Sequence, residues 1–228
     1  MIKYVFLDLD DTLFDFHKAE AAALSEMLLQ FGITPTESII ERYSEINLSQ
    51  WKLLELKKKT REEVLIDRFA IFFSEMGLSV QPKDAREIYE SALSKMHFYI
   101  DGAPELLESL FGKYKLYLAS NGTLSVQTKR IGASGIAKYF DGIFISQQIG
   151  HDKPSQKYFE ECFSRIEGFS RENAIIIGDS LSSDIQGGIN AKIKTCLYNP
   201  KNKTVTGEIS PDFIIKELTE IPKLLSKI

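Results

Sequence analysis

Five short, continuously apolar segments constrain what this chain can fold into. Each is rich in residues that favour strands. Strands that are apolar at every position, without alternation, are typical of a parallel sheet that is buried on both faces. The five segments are Tyr4–Leu9, Leu116–Ala119, Ile143–Ile145, Ala174–Ile177 and Thr195–Leu197.

Helical patterns separate these segments from about residue 100 onward. Pro104–Phe111 carries apolar residues at helical spacing, and Ser155–Ile166 and Ser182–Ile189 each open on a serine that suits an N-cap. Strands that alternate with helices form right-handed βαβ units. We therefore predict an α/β fold with a doubly wound, Rossmann-like parallel sheet.

About eighty residues of helical pattern interrupt the alternation directly after the first strand. An insertion at this point lies over the carboxyl end of the strand, where ligands bind in open α/β sheets. We therefore expect a core domain of residues 1–16 and 99–228 and an inserted helical cap domain of residues 17–98. The helical segments of the cap are Ala19–Phe31, Ser38–Lys57, Thr60–Met76 and Lys83–Met96.

Local signals mark the ends of these helices. Thr60 and Glu63 have the spacing of a capping box, and Gly32 and Gly77 stand where C′ glycines end helices. The run Lys57–Lys59 is interpreted as a solvated helix end that the helix dipole favours, in preference to a binding patch.

The composition is that of an ordinary globular protein and excludes several classes. With 28 Lys+Arg against 32 Asp+Glu, the net charge is −4, which argues against a general binder of nucleic-acid polymers or anionic membranes. The N-terminal apolar run is too short for a signal peptide, and nothing approaches the roughly 20 apolar residues that span a bilayer. Cys162 and Cys196 lie far apart in sequence, so we expect two reduced, packed thiols and a cytoplasmic protein.

Carboxylates follow two of the predicted strands at the point where each strand ends. Asp8 and Asp10 follow the first, and Asp179 and Asp184 follow the fourth. An acidic loop that caps a helix would explain either pair by itself. Because the carboxyl ends of parallel strands meet at one edge of the sheet, the pairs should instead converge, which is electrostatically costly unless a cation offsets them.

Groups suited to phosphate follow at the same edge. Ser120, Asn121 and Gly122 come after the second strand and supply a hydroxyl, an amide and a flexible backbone N–H. Lys153 stands before Pro154 and the next helix, where its ammonium can point at a phosphate. The conjunction of all these segments is specific, whereas a pair of aspartates alone would not be.

These motifs resemble those of the haloacid dehalogenase-like (HAD) hydrolase superfamily, in its subfamily with a type 1 helical cap. The resemblance rests on Asp8-x-Asp10-x-Thr12, Ser120, Lys153-Pro154 and Gly178-Asp179-x4-Asp184, which occur in order along almost the whole chain. It implies the HAD core fold and a phosphoryl-transfer reaction through an aspartyl-phosphate intermediate.

The resemblance also implies a role for each motif residue. Asp8 would be the nucleophile, and Asp10 the general acid and base. Asp8, the backbone carbonyl of Asp10, and Asp179 would hold Mg²⁺, with Asp184 acting through water or in support. The residues that would bind the transferring phosphoryl are Ser120, Asn121 and Lys153.

Charge counting agrees with a metal. The four aspartates and Lys153 leave about −3 without a cation and about −1 with Mg²⁺. Unit charges 4 Å apart interact by about 4 kcal/mol at an effective dielectric constant of 20, so the metal-free site should bind phosphate poorly. Within the superfamily, dehalogenases lack a second carboxylate at the position of Asp10, so a phosphatase or phosphomutase is favoured.

Further stretches resemble the pyrimidine 5′-nucleotidase branch. They are Asp184–Ala191, Lys194–Asn199, Ile46-Asn47 with Trp51, and Arg68-Phe69. The branch implies a 5′-nucleotidase acting on pyrimidine nucleoside monophosphates such as dUMP, dTMP and UMP or on modified analogues. A nucleotide base needs an apolar or aromatic wall and a few polar groups, for which Phe14, Asn47 and Trp51 are the candidates. Trp51 also has the helical spacing of a cap-core residue.

Three alternatives remain open on the sequence. One is a phosphatase of other small phosphate esters, a second is a hexose-phosphate mutase that re-phosphorylates an intermediate, and a third is a non-catalytic phosphate-binding protein. The expected partner is a small phosphate ester, without nucleic-acid polymer or membrane. The chain is expected to be a monomer or a homodimer.

Overall fold

The computed structural model describes residues 1–205 and 207–228 and divides them into two compact units. The first unit contains residues 1–15 and 97–228, and the second contains residues 16–96. The second unit therefore begins one residue, and ends two residues, before the bounds expected for a cap domain.

A parallel sheet organises the first unit. Within the described part of the chain it has six strands in the order β3-β2-β1-β4-β5-β6, all parallel to their neighbours. The strands are β1 (Tyr4–Leu7), β2 (Lys115–Ser120), β3 (Gly142–Ile145), β4 (Ala174–Gly178), β5 (Lys194–Tyr198) and β6 (Phe213–Ile215). The predicted α/β fold class is confirmed, and the short edge strand β6 is an addition to it.

The register places three strand ends side by side. Leu7 of β1 pairs with Leu118 of β2 and with Ile177 of β4. The chain runs from β1 outward to β3 on one side and returns to β4 on the other. Ligands of open α/β sheets bind outside the carboxyl ends of strands at such a reversal. The residues just after β1, β2 and β4 therefore share one crevice.

Burial on both faces explains why the strands are continuously apolar. Val5 and Leu7 belong to one hydrophobic cluster, whereas Phe6 belongs to another. Successive side chains of a strand point to opposite faces, so the two clusters lie on opposite sides of the sheet. Cys162 and Cys196 are buried free thiols, one in each cluster.

Helices connect the strands of this unit. They are α5 (Ala103–Leu110), α6 (Leu124–Ser134), α7 (Ser146–Ile149), α8 (Gln156–Ser164) and α9 (Gln186–Ala191), and α10 (Ile221–Leu225) follows the last strand. The four helices that precede them in the chain belong to the second unit. Ser155 is the N-cap of α8 as predicted, so Pro154 lies outside that helix. The predicted helix Ser182–Ile189 is instead a π-helical turn, Leu181–Ile185, followed by α9.

The second unit is built from four helices in the residues the structure describes. They are α1 (Phe16–Gln30), α2 (Glu37–Glu55), α3 (Arg61–Glu75) and α4 (Pro82–Leu93). The capping box of Thr60 and Glu63 is confirmed, with both reciprocal hydrogen bonds present. Gly32 and Gly77 both have positive φ, as residues that end helices in the left-handed conformation do.

Aromatic packing fills the interior of this unit. Tyr43 of α2 lies with its ring 5.4 Å from that of Phe69 and 5.5 Å from that of Tyr89, and all three side chains are fully buried.

In the lysine run, Lys59 donates to Asp67 and to Gln50, which ties the end of the run to α3. No helix in residues 1–205 and 207–228 has the length and apolarity needed to cross a bilayer.

Candidate active site

The predicted site residues of the first unit meet at the carboxyl edge of its sheet. Asp8 follows β1, Ser120 is the last residue of β2, and Asp179 follows β4. The backbone N–H of Asp8 still bonds to the carbonyl of Ile177 at 3.0 Å, so the sheet holds the start of this loop. Asp184 comes from the π-helical turn after β4, and Lys153 comes from the segment between α7 and α8.

Lys153 is the cation around which the carboxylates are arranged. Its Nζ donates to Asp8 Oδ1, to Asp184 Oδ1 and to the carbonyl of Ala119, each at 2.6 Å. Lys153 and Asp184 each expose only 1% of their side chains. An ammonium has three donors, and here all of them are used on oxygen atoms of the site.

Burial and charge shift the pKa values of these groups. Desolvation, which the attraction of Lys153 only partly offsets, raises the pKa of Asp8 to about 7. Burial acts to lower the pKa of Lys153, yet Asp184 and Asp8 raise it above its usual range. Desolvation and repulsion from Asp8 and Asp184 raise the pKa of Asp179 well above its ordinary value, although the residue as a whole is exposed. The carboxylates therefore carry more negative charge than one lysine balances.

Three of the carboxylates can hold a metal ion together. Asp8, Asp179 and Asp184 each offer an oxygen, and these atoms lie within 4.8 Å of one another. Hard oxygen donors of this kind suit Mg²⁺, so the residues present fit the ion. The side chain of Asp10 is turned elsewhere, which leaves only its backbone for the metal role predicted from sequence.

Gly178 has no side chain, and the Asp184 carboxylate occupies the space that one would fill. A Cβ atom at Gly178 would collide with that carboxylate. Asp184 Oδ2 also accepts from the backbone N–H of Ser180 at 3.1 Å, and Ser180 caps the π-helical turn by accepting from the N–H of Ser183. The turn thus folds the carboxylate back against the end of β4, a geometry that a plain helix from Ser182 would not give.

The side chain of Asn121 bonds to the backbone of Lys153. Its Oδ1 accepts from the backbone N–H of Lys153 at 2.9 Å, and its Nδ2 donates to the backbone carbonyl of Lys153 at 2.9 Å. The amide also donates to Ser183 Oγ at 3.3 Å. Asn121 therefore fixes the peptide of Lys153, and its predicted contact with phosphate stays a prediction.

Ser120 lies in the crevice as predicted. It is 2% exposed, and its Oγ accepts from the N–H of Gly122 at 3.1 Å and from Gln127 Nε2 at 3.0 Å. A Cβ atom at Gly122 would collide with the Gln127 side chain. Close approach by Gln127 is therefore what requires a glycine here.

Two residues of the site were missed from sequence. Gln127 and Arg130 both lie on α6 and are buried, and both bond to the Asp10 carboxylate. The signal that could have found them is a glutamine and an arginine three residues apart, beside the apolar Val126 and Ile131. Residues at that spacing share a helix face, and long polar side chains on a buried face need partners.

The three candidates for base recognition have different surroundings. Phe14, in the first unit, is fully buried, with its ring 5.4 Å from that of Tyr99 and 5.3 Å from the Arg130 guanidinium. Trp51, in the second unit, is half-buried and lies 5.4 Å from the Arg61 guanidinium.

Asn47 is placed in the interior of the second unit. It is 2% exposed, its Nδ2 donates to Glu20 Oε1 at 2.6 Å, and its Oδ1 accepts from Arg68 Nη1 at 3.1 Å. The network continues to Ser44, which donates to Glu20 Oε2 at 2.5 Å. In the structure Asn47 therefore stabilises the packing of α1, α2 and α3, and its amide has protein partners in place of a base.

Comparisons with known proteins show the family of this chain. A family model described as haloacid dehalogenase-like hydrolase matches residues 5–198. The pyrimidine 5′-nucleotidase PynA of Streptococcus pneumoniae is 36% identical over 99% of this chain and 95% of its own length. The pyrimidine 5′-nucleotidase YjjG of Escherichia coli is 29% identical over 98% of both proteins. A solved structure of the putative HAD-hydrolase YfnB of Bacillus subtilis, bound to magnesium, is 37% identical and covers 98% of both chains with a TM-score of 0.94.

Proposed function

The chain belongs to the haloacid dehalogenase-like hydrolases, and on that premise we propose that it is a Mg²⁺-dependent 5′-nucleotidase. Its substrates would be pyrimidine nucleoside monophosphates, and its intermediate an aspartyl-phosphate. The observation that carries the proposal is the contact of Lys153 Nζ with Asp8 Oδ1 at 2.6 Å, at the carboxyl edge of the sheet. The proposed nucleophile, Asp8, thus lies beside the ammonium of Lys153, which can also bind the phosphoryl group.

Asp8 is the nucleophile of the proposed reaction. One of its oxygens attacks phosphorus, and the bond from phosphorus to the ester oxygen breaks, so one hard displacement becomes two easier ones. Lys153 lies beside Asp8, and with Ser120 and Asn121 it would hold the phosphoryl oxygens, whose negative charge the ammonium stabilises. Thr12 Oγ1 lies 3.3 Å from Asp8 Oδ2 and helps to orient the carboxylate.

Asp10 carries out the proton transfers. It gives a proton to the departing nucleoside oxygen and later takes one from the water that attacks the aspartyl-phosphate. That second displacement releases inorganic phosphate and restores Asp8. The Asp10 side chain is 27% exposed, and a general acid and base must be within reach of the substrate.

The acidic cluster is the proposed Mg²⁺ site. Asp8, Asp179 and the backbone carbonyl of Asp10 would hold the ion, with Asp184 in support behind them. When bound, Mg²⁺ supplies positive charge that offsets the carboxylates and polarises the phosphoryl oxygens. Support comes from the three clustered carboxylate oxygens and from the magnesium in the YfnB structure.

The pyrimidine preference is supported by relatives named pyrimidine 5′-nucleotidase, at 36% and 29% identity over nearly the full chain. We propose that the second unit, residues 16–96, is the cap domain that selects the substrate. Phe14, Asn47 and Trp51 stay proposed contacts of the base. Of the three, Trp51 is only half-buried, whereas Phe14 and Asn47 are buried among protein partners.

Phosphate release from purified protein with Mg²⁺ tests the proposal. The substrates are UMP, dUMP and dTMP, compared with AMP, GMP and a set of sugar phosphates. We expect turnover of pyrimidine nucleotides above the others, and its loss on chelation and in Asp8→Asn. Retained turnover in Asp8→Asn would contradict the nucleophile, preference for sugar phosphates would contradict the substrate class, and isomerised product without free phosphate would indicate a mutase.

A further inference from the structure

Helix α6 holds the Asp10 carboxylate on both of its oxygens. Arg130 Nη1 donates to Oδ1 at 2.5 Å, and Gln127 Nε2 donates to Oδ2 at 2.6 Å. Arg130 and Gln127 are 0% and 1% exposed, whereas 27% of the Asp10 side chain remains exposed. Helix α6 thus fixes the carboxylate through both oxygens, while part of the side chain remains exposed.

The two donors also hold one another. Arg130 Nη1 donates to Gln127 Oε1 at 2.9 Å, and the guanidinium lies over the Phe14 ring at 5.3 Å. These contacts leave the glutamine amide one orientation, with its nitrogen toward Asp10. The arrangement is therefore built into the packing of α6 against the first loop and does not depend on a flexible surface pair.

The same glutamine connects Asp10 to the phosphate-binding edge. Gln127 Nε2 donates to Ser120 Oγ at 3.0 Å as well as to Asp10. One amide nitrogen is therefore shared by the proposed general acid and a proposed phosphoryl ligand. Gly122 permits this approach, because a Cβ atom there would collide with Gln127.

Placing an arginine at full burial is costly unless an anion and hydrogen bonds compensate its charge. Asp10 in its ionised form supplies the anion, and the pair is then charge-assisted and short. A general acid must lie within hydrogen-bond reach of the oxygen that it protonates, and small misplacements of a reacting group lower rates strongly.

We propose that Arg130 and Gln127 are positioning residues that fix the Asp10 carboxylate for its proton transfers. The inference rests on the phosphatase function proposed above. Neither residue contacts the substrate in this role. What they contribute through Asp10 is confined to steps in which Asp10 moves a proton, whereas the bond from Gln127 to Ser120 Oγ acts on any phosphate ester. This difference distinguishes positioning from a general support of the fold.

Two esters with different leaving groups distinguish positioning of Asp10 from general support of the fold. A nucleoside oxygen of UMP needs a proton as it departs, whereas p-nitrophenolate from p-nitrophenyl phosphate leaves without one. Rapid-quench measurement of the first turnover with Mg²⁺ reports the step that phosphorylates Asp8. The variants are Arg130→Met and Gln127→Met, with Lys129→Met as the matched control, because Lys129 is an exposed cation on the same helix.

We expect the first turnover of UMP to fall about 100-fold in Arg130→Met and about 10-fold in Gln127→Met. With p-nitrophenyl phosphate, the first release of p-nitrophenol should fall less than about 3-fold in Arg130→Met. In Gln127→Met it should fall less than the first turnover of UMP does, because that variant also removes the bond to Ser120 Oγ. Lys129→Met should match the wild type on both esters. Equal losses on the two esters, or no loss on UMP, would overturn the proposal.

A second test uses the absence of the Asp10 carboxylate. In an Asp10→Asn background, adding Arg130→Met should change the UMP rate by less than about 2-fold, because a residue that acts through Asp10 has nothing left to position. If Arg130→Met lowered the UMP rate by the same factor in the Asp10→Asn background as in the wild type, the inference would be overturned. If Arg130→Met does not fold, Gln127→Met, which removes no charge, serves for both tests.

Failure of the proposed function gives a different result. A wild-type protein that cleaves p-nitrophenyl phosphate but not UMP would contradict the nucleotide substrate only. The comparison then uses glycerol 2-phosphate as the poor leaving group, with the same expected losses. A wild type that cleaves none of the three esters would overturn both the phosphatase function and the positioning roles.

Discussion

Lys153 Nζ donates to Asp8 Oδ1 at 2.6 Å, and the lysine side chain is almost completely buried. The same ammonium bonds to Asp184 and to the carbonyl of Ala119. Lys153 is therefore the internal counter-ion of the acidic cluster as well as a candidate phosphate ligand. Its removal should affect stability in a way that Mg²⁺ can partly reverse.

Lys153→Met should lower the free energy of unfolding of the metal-free protein by about 3–5 kcal/mol, because it leaves two buried carboxylates without their cation. Mg²⁺ should restore part of the loss by supplying positive charge. Urea unfolding with and without Mg²⁺ measures both effects. Lys115→Met is the control, since Lys115 forms an exposed pair with Asp141 at 2.7 Å and its loss should change little. Equal effects in the two variants would contradict the counter-ion role.

Mg²⁺ affinity should rise with pH through about pH 7. Burial raises the pKa of Asp8 to about 7, so below that pH a proton competes with the metal for the carboxylate. Affinity should fall by up to about tenfold per pH unit on the acid side. Calorimetric titration at several pH values, in buffers of different ionisation enthalpy, counts the proton released. An affinity that is independent of pH from 6 to 8 would contradict the raised pKa.

Gly178→Ala should weaken Mg²⁺ binding by about 10- to 100-fold, the range typical when a supporting residue of a metal site is displaced. The added Cβ would push the Asp184 carboxylate out of its place beside Asp8 and Lys153. Gly132→Ala in α6 is the matched control, because a Cβ atom there meets nothing within 4 Å. Mg²⁺ titration of both variants makes the comparison, and unchanged affinity in Gly178→Ala would count against Asp184 as part of the site.

Asn121→Ala should weaken phosphate binding on the order of 10-fold, because the peptide of Lys153 loses its anchor and the ammonium is misplaced. Asn199 offers an unusually close control. It accepts from the N–H of Lys203 and donates to the carbonyl of the same residue, at 2.9 and 2.8 Å.

Each alanine variant should lower the free energy of unfolding by about 1–3 kcal/mol through lost hydrogen bonds. Only Asn121→Ala should also raise the inhibition constant of inorganic phosphate. If both variants raised it equally, a general loss of stability would explain the effect and the anchoring role would be wrong.

Glu20→Gln should stabilise the protein relative to wild type increasingly as pH rises above 4.5. Burial raises the pKa of Glu20, so the folded state holds a proton that the unfolded state releases. The free energy of unfolding of the wild type therefore falls as pH rises from 4.5 to the raised pKa of Glu20. The slope is at most about 1.4 kcal/mol per pH unit. Glutamine removes this dependence while keeping partners for Ser44 and Asn47. Urea unfolding of both proteins at several pH values measures this pH dependence. If the free energy of unfolding changed with pH equally in the two proteins, the raised pKa of Glu20 would be contradicted.

The strands and the strand-end motifs could be predicted from sequence because their signals are local. Val5, Phe6 and Leu7 are apolar in succession because the sheet is covered on both faces, and Asp8 follows because the carboxyl edge is where polar groups can meet. Parallel connectivity then brings Asp8, Ser120 and Asp179 together without further information.

The directions in which polar side chains point depend on the folded chain. The order of residues was enough to predict an α/β fold, a helical insertion and an acidic site beside a lysine. It could not show that the Asn121 amide bonds to the peptide of Lys153, or that Gln127 and Arg130 reach back to Asp10. Those contacts join residues 32 to 120 positions apart, and each side chain has several possible partners. Burial and close packing select one, because a buried donor without an acceptor is costly.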